Sequence, residues 1–116
     1  MKVKLIILTL FSCLSFVLAH PPSNIDLILN LDEKEVEVVV FHKVKDTQDH
    51  YIDKILLFLN GKKIIEQISS KQLNNENQIY LFKIPELKEN DKINVSVKCN
   101  KFGELKKEII VKIKKE

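Results

Sequence analysis

Alternation restricts this chain more than any other feature. Ile25, Leu27, Leu29 and Leu31 occupy every second position of one segment. Val36, Val38 and Val40 do the same in the next, alternating with Glu35 and Glu37. In an extended strand successive side chains point to opposite faces, so a period of two buries one face and leaves the other in water. On a helix of 3.6 residues per turn the same positions would scatter around the axis. Both segments therefore read as half-buried strands, with Asp32-Glu33-Lys34 as the tight turn between them.

The remaining segments fit the same scheme. Tyr51 to Leu59 (YIDKILLFL) is more continuously apolar and could be a central strand or a short helix. Asn60-Gly61 decides for a strand, because Asn-Gly between two apolar runs is the strongest short hairpin signal. Lys63 to Ile68 is the return strand, and Ser69 to Asn77 is a polar loop without apolar period. Gln78 to Ile84 is the next strand, ended by Pro85, and Glu86 to Asp91 is a charged turn. Ile93, Val95, Val97 and Cys99 alternate with Asn94, Ser96 and Lys98. Asn100 to Gly103 is a turn, and Lys107 to Ile113 is the last strand. No segment has helical periodicity, and there is no internal repeat. Seven short strands with regular turn signals predict an all-β fold: a seven-stranded antiparallel immunoglobulin-like β-sandwich. The Cys…Trp…Cys pattern of true immunoglobulin domains is absent, so the expectation concerns architecture.

Residues 1–19 read as a secretory signal peptide. Lys2 and Lys4 form its positive start, Leu5 to Leu18 is an uncharged apolar run, and Val17 and Ala19 suit a cleavage site after Ala19. The run is short for a membrane span; an uncleaved anchor is the alternative. Without any arginine there is no twin-arginine signal, so export is expected through a Sec-type route, to the periplasm or the extracellular space. The domain is then 20–116, long enough to bury a single core. Lys2 and Lys4 account for two of the three net positive charges, and lysines alternate with acidic residues elsewhere. The charge therefore gives no signal for nucleic acid, and no membrane contact is expected after cleavage.

Cys13 would leave with the signal, so the mature chain keeps a single cysteine, Cys99, and no internal disulfide. A lone exported cysteine suggests an intermolecular bond, a free thiol, a metal ligand or an ordinary core residue. Strand direction narrows the choice. If every connection reverses direction, His42 ends the second strand, His50 begins the third and Cys99 ends the sixth, all at the end of the domain where the first strand begins. His20, five residues before that strand, belongs to the same end. All three histidines and the cysteine are thus assigned to one end, and Cys99 is in phase with the buried positions of its strand. Imidazole and thiolate are ligands for iron, zinc and copper. If cleavage falls after Ala19, the amine of His20 could join its own imidazole at a metal.

These residues resemble a family. His42-x7-His50-Tyr51-Ile52 followed by Cys99-Asn100-Lys101-Phe102-Gly103 is similar to the ligand motifs of the superoxide reductases, the neelaredoxins and the iron domain of desulfoferrodoxin. The resemblance implies an immunoglobulin-like sandwich holding a mononuclear non-haem iron through equatorial histidines and an axial cysteine. It also implies superoxide as a small-molecule oxidant and an electron donor protein. It carries His42 and His50 to the middle motif, Cys99 to the axial position and His20 to the first histidine. Phe102 stands where a fourth histidine is expected, Lys43 replaces a proline, and Ala19 replaces the lysine that precedes the first histidine in the family. His20, His42, His50 and Cys99 could therefore form an iron site completed by the terminal amine or water, or a closed tetrahedral Cys-His₃ zinc site. A copper carrier using the His20 amine and a sandwich interaction module with a relic site are further alternatives. No Ser-His-Asp arrangement, paired carboxylates or glycine-rich phosphate loop is visible; Asn94-Val95-Ser96 is a glycosylation sequon by pattern, within an expected strand.

Overall fold

The computed structural model describes residues 21–113. Seven strands follow one another: β1 (Asn24–Asn30), β2 (Glu35–Phe41), β3 (Ile52–Leu59), β4 (Lys62–Ile68), β5 (Asn77–Lys83), β6 (Lys92–Cys99) and β7 (Glu104–Ile110). They form two antiparallel sheets, β1-β2-β5 and β4-β3-β6-β7, which pack face to face as a sandwich. The expected all-β architecture of seven antiparallel strands is the one observed.

Alternation is what joins the layers. Ile25, Val36, Val38, Val40, Tyr80 and Phe82 supply the inner face of the first sheet, and Ile52, Ile55, Leu57, Ile93, Val95 and Val97 that of the second. Each fully buried aliphatic side chain stabilises the sandwich by about 1.5–3 kcal/mol.

The turns behave as their residues dictate. Asn60 and Gly61 both have positive φ, 51° and 86°, as a two-residue hairpin turn between paired Leu59 and Lys62 requires. Lys34 takes φ 57° in the β1–β2 turn. The last strand differs from expectation: it begins at Glu104 and ends at Ile110, three residues earlier than the sequence pattern placed it at each end. The Cys99 N–H donates to Gly103 O (3.0 Å), which closes the turn so tightly that Glu104 already pairs with Lys98. Beyond Ile110 the chain leaves the ladder, and the Val111 N–H donates to Asp91 O instead.

Candidate metal centre

Strand direction brings the ends of β2 and β6 and the start of β3 to one end of the sandwich. Phe41, the last residue of β2, pairs with Asn24 and Asn77, and Ile52, the first of β3, pairs with Cys99. His42 therefore emerges from the three-stranded sheet, whereas His50 and Cys99 adjoin the four-stranded one.

Local chemistry folds the intervening loop back on itself. The Asp46 carboxylate accepts from the Gln48 N–H (2.9 Å), and Asp46 O accepts from the Asp49 and His50 N–H groups at 3.2 and 2.9 Å. This turn, capped by an aspartate side chain as short polar residues favour, carries His50 over His42. The two rings meet edge to face, 4.6 Å between centroids and 88° between planes.

Asn100 joins the other side. Its Oδ1 accepts from the Tyr51 N–H (2.9 Å), its Nδ2 donates to Asp49 O (2.9 Å), and its N–H donates to Tyr51 O (3.0 Å). The segment carrying His50 is thus fastened to the turn carrying Cys99. His50 Nε2 lies 3.0 Å from Cys99 Sγ. The sulfur also accepts from the Lys101 N–H at 3.3 Å and donates to Asn100 Oδ1 at 3.9 Å.

One donor atom from each of His42, His50 and Cys99 lies within 4.8 Å of the other two. Ligand bonds of about 2.0–2.3 Å to one centre hold donors within about 4.5 Å of each other, close to the spacing found. His42 and Cys99 are buried, at 1% and 2% exposure, and His50 is partly buried. Two imidazoles and a thiol in this setting can hold a metal ion, and their donor types suit a transition metal.

His20, the fourth ligand expected from the sequence, lies outside the described residues. Its neighbour Pro21 is described. A Cβ built on Gly103 would fall 2.3 Å from the Pro21 Cβ, so Pro21 lies directly on the turn that carries Cys99. Phe102, where the resemblance implies a fourth histidine, is 58% exposed.

Sequence reading missed Gln72. It belongs to the polar segment between β4 and β5 and is 1% exposed. Its Oε1 lies 2.8 Å from His42 Nδ1, and its Nε2 donates to His42 O (2.7 Å) and Asn74 O (2.9 Å). Backbone bonds from His42 to Glu76 O and from Val44 to Asn75 O zip the same segment onto the histidine loop. No motif marks such a residue; the only signal was a glutamine in a loop that faces the expected site.

Comparison with family models, curated proteins and solved structures gives no match for this chain.

Proposed function

We propose that this chain is an exported metal-binding protein whose mononuclear site uses His42, His50 and Cys99, with His20 as a further ligand. The observation that carries the reading is the convergence of two imidazoles and a thiol from three separate segments to within 4.8 Å. Pro21, the residue after His20 in the sequence, lies against Gly103 in the turn that carries Cys99.

The metal this reading favours is non-haem iron, in a site similar to that of the superoxide reductases. The alternation into two antiparallel sheets and the order of the ligand motifs both agree with that likeness. Bound ferrous ion would supply one electron to an oxidant such as superoxide and be reduced again by an electron donor protein. The chain's own part is to orient the donors. Asn100 holds His50 against Cys99, the Lys101 N–H holds the sulfur in place, and burial of His42 and Cys99 keeps water from the inner side of the group.

A second reading has its own observation. Phe102 offers no nitrogen, so the nearest complete set is three histidines and one cysteine, which matches a closed tetrahedral zinc site. Refolding the protein anaerobically with ferrous ion, and separately with zinc, separates the two. A redox-responsive thiolate-to-iron absorption and reaction with superoxide are expected for the first reading. Tight zinc binding with no retained iron would replace it with the second. Absence of any bound metal, or binding unchanged in Cys99→Ser and His50→Ala, removes both.

A further inference from the structure

We infer that Gln72 is a positioning residue that fixes His42 in the tautomer whose Nε2, not Nδ1, offers the lone pair to the metal. The inference rests on the metal-binding reading above for its role, but its chemical core can be tested without any metal.

The argument begins with burial. Lys71 and Leu73 are exposed on either side of Gln72, yet Gln72 itself is buried. A buried amide must find partners for an oxygen that only accepts and a nitrogen that only donates. Two carbonyl oxygens, His42 O and Asn74 O, face one end of the amide at 2.7 and 2.9 Å. Carbonyls only accept, so that end is the NH₂ group and the assignment follows from the network. The other end is then the oxygen, 2.8 Å from His42 Nδ1. An amide oxygen cannot donate, so Nδ1 carries a proton. In a neutral imidazole with Nδ1 protonated the lone pair is on Nε2, and metals bind the lone pair.

Gln72 also fixes the direction of the ring. It holds His42 at the backbone carbonyl and at the ring together, so the side chain is clamped between its two ends. The Gln72 N–H donates to Thr47 O (3.0 Å), which secures the clamp to the loop between the two histidines. Ligating histidines are commonly oriented by an acceptor on the second nitrogen, and loss of that acceptor lowers metal affinity about 10–100-fold. Gln72, alone of its polar segment, thereby becomes part of the metal centre through its side chain.

The first test uses the wild-type full chain without metal. Long-range ¹⁵N–¹H correlation of labelled histidine reads each tautomer directly, and His42 is expected as Nδ1–H; an Nε2–H form overturns the inference. The second uses Co²⁺ as the probe. Gln72→Met, similar in length and without hydrogen-bonding capacity, is expected to bind Co²⁺ about 10–100-fold more weakly. It should also lose the slowly exchanging, hyperfine-shifted imidazole N–H resonance of the wild-type complex. Asn75→Ala, which removes side-chain bonds to Val44 O and Lys45 O in the same pair of loops, is expected to retain both the affinity and the resonance. Equal binding by wild type and Gln72→Met, or equal weakening by Asn75→Ala, overturns the positioning role. A wild-type chain that binds no Co²⁺ removes the metal reading and leaves the tautomer result standing on its own.

Discussion

Gly103→Ala measures how firmly Pro21 is seated on the cysteine turn. Gly103 has φ +94°, and an added Cβ would fall 2.3 Å from the Pro21 Cβ and 3.0 Å from its Cα. Two penalties are therefore expected. An L-residue with left-handed backbone loses about 1–2 kcal/mol, and steric overpacking in a tight contact adds typically about 1–3 kcal/mol. Gly61 separates them. Its φ is +86° and nothing lies within 4 Å of its added Cβ, so Gly61→Ala carries the backbone penalty alone. Urea unfolding followed by circular dichroism should show Gly61→Ala less stable than wild type by about 1–2 kcal/mol. Gly103→Ala should lose at least about 1 kcal/mol more. Pro21→Gly removes the atom that is struck, and the double variant Pro21→Gly/Gly103→Ala should recover that difference, a coupling visible in a double-mutant cycle. Equal losses for the two alanine variants, or no coupling to Pro21, would refute the seating of Pro21 on Gly103.

Three further outcomes are expected. Asp91 is buried and accepts from Asn60 Nδ2 (2.9 Å), Lys88 Nζ (2.6 Å) and the Lys88 N–H (2.9 Å). These bonds, Asn60's first and Lys88's next, hold its pKa down to about 2 from 3.8. A value depressed by folding stabilises the protein fully above the unfolded pKa and ceases to as pH falls toward 2. Stability followed by urea midpoints should therefore drop by about 2 kcal/mol between pH 5 and pH 2, and Asp91→Asn should flatten that limb. Asn100→Ala removes the side-chain hydrogen bonds to the Tyr51 N–H and Asp49 O, of about 1 kcal/mol each, and the long contact from Cys99 Sγ; thermal unfolding should show the loss, and Co²⁺ binding should weaken as His50 is released from Cys99. Addition of a metal bound only by the folded state should raise stability by about 2.7 kcal/mol at a hundred times its Kd, and EDTA should reverse the rise in Tm.

Most strands were legible because apolar residues recur at every second position, a pattern imposed by the pleat itself, whereas the continuously apolar β3 was read as a strand from Asn60-Gly61 at its end. The ends of the last strand were less so: Lys107 and Ile113 look alike to a period of two, and only the bond from Cys99 to Gly103 sets where pairing starts. The grouping of His42, His50 and Cys99 could be foreseen from strand direction, since each antiparallel connection returns the chain to a definite end. Gln72 could not. It meets His42 across thirty positions through bonds between two loops, and such bonds impose no periodicity and need no particular spacing. Asp53 is a similar case. The β3–β6 register slips between Ile52 and Lys54, leaving Asp53 in a bulge that alternation alone does not reveal.

The split of the donors between the two sheets has a mechanical consequence. An ion held by His42 on one layer and by His50 and Cys99 on the other would act as a rivet through the sandwich. It would close the chain between residues 42 and 99 into a loop, which by the loop-entropy relation for covalent cross-links corresponds to about 4 kcal/mol taken from the unfolded state. Force that shears one sheet over the other would load the rivet directly, so the metal-bound protein should resist mechanical unfolding far more along that axis than along the strands.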